Sequence, residues 1–202
     1  MEKSCFSRIY KIILTTFSLI LMNINLFATE VLAGKKSGTE RAGDVLQITN
    51  PIIGALVASQ EKGFGHFVVI YGESLLFMGA LQATGKATKW SVGKRPSRPG
   101  KKAVYSGFPS GHTTSAWSAA SYIRVFPEDH KMLAVPMYLA AGFTGYSRVK
   151  SKKHTATQVV AAAIFSEAIT MFNYKMQWSN EYRTTEIGCS EKSAMIRFSF
   201  KF

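Results

Sequence analysis

A chain of 202 residues is long enough for one domain with a substantial core. It is 47% hydrophobic and 18% charged, and its mean hydropathy of +0.04 is too low for a protein made only of long membrane spans; it fits a chain partly in a bilayer or lying on one. The net charge of +13 selects anionic partners (nucleic acid, acidic lipid head groups or phosphate substrates) without choosing among them, and two cysteines, Cys5 and Cys189, argue against a disulfide framework or a Cys-based zinc site.

In chain order, Lys3, Arg8 and Lys11 precede an apolar run from Ile12 to Ala28, the pattern of a signal peptide or an N-terminal membrane anchor over residues 1–33. Either form puts the remainder outside the cytoplasm, because the positive end stays inside. Residues 34–43 read as a polar linker. Asp44 to Ser59 is mostly apolar and is broken by Asn50-Pro51, which predicts a short helix with Pro51 near its start. Gly65 to Gln82 is apolar enough for a buried helix or a membrane span. Residues 83–108 are basic with Gly and Pro, and read as loop. Helical patterns resume over 112–126, 131–146 and 154–173, each rich in alanine, which permits close helix packing. From Ser193 to Phe202 aromatic and polar residues alternate, predicting a short strand or an interfacial tail. The chain therefore reads as all-α with a short C-terminal β-like tail, and residues 34–202 as a single domain.

Three blocks carry chemistry. The first, Lys86 to Lys102, holds Lys86, Lys89, Lys94, Arg95, Arg98, Lys101 and Lys102 with no acid; alone, it reads as a solvated basic loop. The second is Phe108-Pro109-Ser110-Gly111-His112, leading straight into a helical pattern. A helix start presents free N–H groups and the positive end of the dipole, a ready anion site. Gly111 lets a phosphate approach the backbone, Ser110 offers a hydroxyl, and His112 stands beside them as a proton donor. The third block, Gly145 to His154, brings Arg148 and His154 to the join of two helices.

Together these blocks resemble the three-part signature of the type 2 phosphatidic acid phosphatase superfamily. The matching residues are Lys89 with Arg95-Pro96, then Pro109-Ser110-Gly111-His112, then Ser147-Arg148 with His154. The motif core covers 83–165, and Gly43-Asp44-Val45-Leu46-Gln47 looks like the opening of periplasmic members. The resemblance implies a helical bundle of the type shared with vanadium haloperoxidases. It implies that His154 attacks phosphorus and forms a phosphohistidine, and that His112 protonates the leaving oxygen and later helps activate water. Lys89, Arg95 and Arg148 are then expected on the non-bridging oxygens, with Ser110 and the Gly111 amide completing the cradle. No metal or other cofactor is implied.

The chain departs from the signature in two places. One residue fewer separates Lys89 from Arg95-Pro96 than the family has, so Lys86 or Lys94 is an alternative to Lys89. More importantly, Gln158 stands where the family places an Asp four residues after the nucleophilic His. A glutamine carbonyl can accept the ring N–H and orient His154, but it brings no charge. Glu167 lies roughly 20 Å further along the same helix and is too far to substitute, which leaves Glu128 and Asp129 as candidate carboxylates. The implied partner is a phosphorylated membrane lipid in a bilayer: lipid A, phosphatidylglycerophosphate or undecaprenyl pyrophosphate. The implied place is the bacterial cell envelope, at the inner membrane with the site on the periplasmic side. The alternative is a catalytically impaired anionic-lipid binder, motivated by Gln158. Nucleic acid is disfavoured by the export signal, and the oligomeric state is not legible.

Overall fold

A computed structural model describes residues 36–96, 102–179, 183–189 and 194–200. The segment read as a signal or anchor, together with Arg98 and Lys101, lies outside the described residues. Lys36–Lys175 forms one compact unit, and it contains every site residue discussed below.

Helix α1 spans Gly38–Glu61, so it begins six residues before the predicted start and takes in most of the expected linker. The reason is local. Ser37 is the N-cap, its Oγ accepting from the Glu40 amide at 3.3 Å, and Glu40 adds an acid to the first turn. Pro51 consequently sits inside the helix rather than near its start. An internal proline leaves the carbonyl four residues back without its donor. Here that carbonyl belongs to Gln47, and the Ser115 hydroxyl donates to it at 2.8 Å. The neighbouring Asn50 donates to Ala116 O at 3.1 Å and Met137 O at 2.8 Å, tying α1 to the two helices beneath it.

Helix α2, Phe64–Thr88, continues six residues past the predicted apolar stretch and ends where Lys89 turns left-handed (φ 54°) and returns its N–H to Gly85 O. Apolar side chains surround α2: Phe67, Ile70 and Met78 are buried, while Val68, Leu75, Leu76 and Phe77 are exposed. A short 3-10 turn, Ser91–Gly93, follows. Helix α3, Gly111–Val125, is the centre of the bundle and packs against α1, α2 and helix α4, Ala134–Lys150. Ala116, Ala119 and Ala120 are fully buried on α3, so its neighbours approach closely around a core of Val57, Phe67, Ile70, Tyr122, Ile123, Phe126 and Met137. Helix α5, Ala156–Ser179, is stitched to α3 and α4 by Glu167, which accepts from Trp117, Ser121, Arg124 and Tyr138.

The tail is a two-stranded antiparallel hairpin, β1 (Arg183–Cys189) with β2 (Ala194–Phe200), in a register that pairs Arg183 with Phe200 and Cys189 with Ala194. Only β2 was expected, because β1 lacks the aromatic alternation that marks its partner.

Candidate active site

His154 lies in the turn between α4 and α5 and is 4% exposed. Its Nδ1 is 2.9 Å from Gly107 O and 3.1 Å from Gln158 Oε1. Both neighbours are acceptors, so Nδ1 carries the hydrogen and Nε2 keeps its lone pair. Burial, then the Arg95 charge, depress the ring's pKa to about 4, against the upward pull of the Gly107 and Gln158 bonds. At neutral pH His154 is therefore an uncharged imidazole with one nitrogen available.

Gln158 joins all three sequence blocks. Thr155 and Gln158 form a capping box at the start of α5: Gln158 N donates to Thr155 Oγ1 at 3.3 Å, and Thr155 N donates to Gln158 Oε1 at 3.2 Å. Gln158 Nε2 donates to Val92 O at 2.8 Å and Lys94 O at 3.0 Å, and Gln158 O accepts from Ser110 N at 3.0 Å. The basic loop, the helix start and the nucleophile candidate thus meet at one buried amide. Gly107 completes the arrangement, since a Cβ there would lie 2.8 Å from both the Arg95 stem and the Gln158 amide.

His112 sits in the first turn of α3, half-buried, with Nε2 3.4 Å from Asp44 Oδ1. Burial, then the Arg148 charge, push its pKa down to about 3; Asp44 pulls the other way, while His154 and Lys153 add to the depression. Arg148 is fully buried at the end of α4, with Nη1 2.6 Å from Asp44 Oδ1 and Nη2 donating to Glu40 O at 2.8 Å. Asp44 itself is buried on α1. Burial raises its pKa, but the Lys36 hydrogen bond and the Arg148 charge outweigh that and hold it below the usual carboxylate value. The outcome is one imidazole, His112, that feels the charge of the other, His154, together with a guanidinium from α4, a second from the basic loop and one buried carboxylate.

A model of the PAP2 superfamily matches residues 67–182, more than half of the chain and all three blocks. The chain belongs to the PAP2 superfamily. Over 105 residues it is 30% identical to lipid A 1-phosphatase of Porphyromonas gingivalis, a match covering 52% of this chain and 22% of that protein, so the chain spans well under two thirds of that relative. The crystal structure of Aquifex aeolicus LpxE superposes with a TM-score of 0.47 at 17% identity, covering 74% of this chain and 94% of that one.

Of the superfamily residues predicted from sequence, His112, Arg148, His154, Arg95 and Gln158 interact with one another directly or through their charges. Arg95 also donates to Ser106 O at 3.2 Å. Ser110 is the buried N-cap residue of α3, its Oγ accepting from Thr113 Oγ1 at 3.1 Å, and Gly111 opens the helix beside it. Lys89 is exposed and lines a cavity of about 390 Å³ with Lys86, Ala103, Val104 and Tyr105. Ammonium groups felt at the His112–Asp44 corner come from Lys153 and Lys36. Glu128 and Glu167 pair elsewhere, Glu128 with Lys62, so neither is the missing carboxylate. Sequence reasoning missed Asp44, Lys36, Gly107 and the capping role of Gln158. The Thr155-x-x-Gln158 spacing was the available signal for the last of these; the others depend on tertiary contacts.

Proposed function

We propose that this chain hydrolyses a phosphate monoester or pyrophosphate on a membrane lipid through a phosphohistidine intermediate. The observation that carries the reading is the tautomer of His154, with Nδ1–H held by Gly107 O and Gln158 Oε1 and Nε2 left as a lone pair in a cation-lined site. Nε2 attacks phosphorus and the P–O bond to the lipid breaks; the lipid oxygen takes the proton from His112. Water then loses a proton to His112 and attacks the phosphohistidine, breaking the P–N bond and releasing phosphate. Arg148, Arg95 and the amides at the start of α3 supply the positive charge that the transition state needs. Burial and the Arg148 charge hold the His112 pKa at about 3, so its proton enters with the substrate: a bound phosphate either brings one or, as a dianion, raises the ring's affinity for one.

An impaired lipid binder was the alternative because Gln158 brings no charge. The Gly107 carbonyl supports the active reading, because it fixes the same tautomer that an aspartate would. A lipid substrate is supported by α2, which is long and apolar enough to cross a membrane, and by exposed Leu56, Leu76, Leu139, Ile164 and Phe172. We place the site on the periplasmic side of the inner membrane, and lipid A as the first lipid to try. Purified chain is incubated with lipid A, phosphatidylglycerophosphate and undecaprenyl pyrophosphate in detergent micelles containing a chelator. Phosphate release from at least one, lost in His154→Ala by at least about 10³-fold, is the expected result. Folded protein that releases phosphate from none of them refutes the reading.

A further inference from the structure

Asp44, on α1, is the carboxylate that among the described residues lies against both His112 and Arg148, and neither α3 nor the turn that carries His154 supplies it. Its side chain is 1% exposed, with Oδ1 2.6 Å from Arg148 Nη1 and 3.4 Å from His112 Nε2, and Oδ2 2.9 Å from Lys36 Nζ. Three cationic or protonatable groups from three separate segments therefore converge on one carboxylate. The surrounding backbone is built for that approach. A Cβ on Gly43 would fall 1.9 Å from Ser147 Oγ, so only glycine lets α1 lie this close to the end of α4. The start of α1 then grips the catalytic turn at three further points: Glu40 O accepts from Arg148 Nη2 at 2.8 Å, Thr39 Oγ1 accepts from Lys150 Nζ at 3.3 Å, and Glu40 pairs with Lys153.

A buried ion pair is seldom the most stable way to fill a core, and apolar residues of similar volume often do as well or better. This pair sits instead on the guanidinium and the imidazole that the phosphate must meet. We propose that Asp44 is a positioning residue of this site, aiming the Arg148 guanidinium at the bound phosphate and holding the His112 ring in its proton-donating place. The proposal rests on the two-histidine phosphatase reading given above. The charged groups facing His112 are Asp44 and, through it, Lys36 on the α1 side, Arg148 and Lys153 on the α4 side, and His154 beyond them. Asp44 is the negative member of that set, and its charge favours the protonated ring. Removing it shifts the balance against the proton that His112 delivers.

The test is the pH profile of phosphate release between pH 4 and 9, measured on the full chain with the active lipid and with a small aryl phosphate. In Asp44→Asn the alkaline limb moves down by about one to three pH units, the span expected for losing an opposite charge at this distance. Turnover at pH 7 then falls about 10- to 1,000-fold and is partly recovered by acidification, and Asp44→Glu, which keeps the charge, restores much of it. Lys36→Met removes a competitor for the carboxylate and moves the limb upward. A folded Asp44→Asn protein whose rate falls equally at every pH overturns the proposal, because that is what a purely structural role gives. If Asp44→Asn does not fold, Lys36→Met decides: an upward limb supports the proposal and an unmoved limb overturns it. Should wild type release no phosphate at all, the phosphatase reading fails separately. The His112 ring titration, followed by NMR with inorganic phosphate present, then tests Asp44 alone: a lower midpoint in Asp44→Asn (a higher one in Lys36→Met) supports the proposal, and an unchanged one overturns it.

Discussion

Restoring the superfamily aspartate at position 158 will harm this protein. All four hydrogen-bonding positions of the Gln158 amide are in use: Oε1 takes His154 Nδ1 and Thr155 N, and Nε2 serves Val92 O at 2.8 Å and Lys94 O at 3.0 Å. Aspartate is one methylene shorter and carries no donor. Gln158→Asp therefore leaves two carbonyls unpaired, each costing about 1–3 kcal/mol when buried, for a sum of roughly 2–6 kcal/mol before any cost of burying the charge. In a domain of this size about 1 kcal/mol moves Tm by 2–4 °C, so the melt falls by something on the order of 10 °C. The freed segment carries Arg95, which the proposed function sets on the phosphate, and misplacing such a group by about an ångström is enough for roughly 10²-fold in rate. Thermal melts and steady-state phosphate release on the two proteins read both effects. A Gln158→Asp protein with unchanged Tm and higher turnover refutes the reasoning, and would mean that the amide only stands in for a lost charge.

Two further outcomes follow from the same geometry. The His154 pKa is about 4 in the folded chain against 6.5 unfolded, so the unfolded state binds more protons between those values; stability is full above about 6.5 and is lost as pH falls towards 4. The lost contribution is on the order of 3 kcal/mol, and His154→Asn melts measured across that window should show a shallower pH slope than wild type. Gly43→Ala places a Cβ against Ser147 Oγ and Arg148, forcing α1 off the end of α4. It should cost about 1–3 kcal/mol together with activity, seen as a lower melting temperature and slower phosphate release.

The helices of α3, α4 and α5 were legible because alanine-rich periodic segments between turn residues leave little alternative. The site residues on them were legible because Pro109-Ser110-Gly111-His112 and Ser147-Arg148 with His154 are local patterns. The start of α1 was hidden by its composition: Ser37-Gly38-Thr39-Glu40 looks polar and loop-like, yet it is a serine cap with an acid in the first turn. Pro51 misled for the complementary reason. It reads as a helix start, but its consequence, an undonated Gln47 carbonyl, is met by Ser115 from a helix 64 residues on. No local rule reveals such a partner. Asp44 was in view in the sequence as part of Gly43-Asp44, but its place between Arg148 and His112 depends on how α1 lies across α4.

The departure at 158 changes how charge is divided between the two imidazoles. In serine proteases an amide in place of the buried aspartate is damaging because it admits the wrong histidine tautomer. That route is closed here: the Gln158 NH₂ group is committed to Val92 O and Lys94 O, and Gly107 O is a second acceptor on Nδ1. His154 therefore keeps the tautomer that the proposed attack on phosphorus needs while lacking the neighbouring negative charge that would draw a second proton onto it. The carboxylate stands instead beside His112, the ring that the proposed mechanism makes the proton donor. In the proposed mechanism the first ring needs a lone pair and the second a proton: the neutral acceptors on His154 serve the one, and Asp44 pulls His112 towards the other, against the burial and the Arg148, His154 and Lys153 charges that hold its pKa at about 3. With the partners exchanged, the carboxylate would pull a second proton onto His154 instead, and that ring would then spend more of its time protonated and unable to attack.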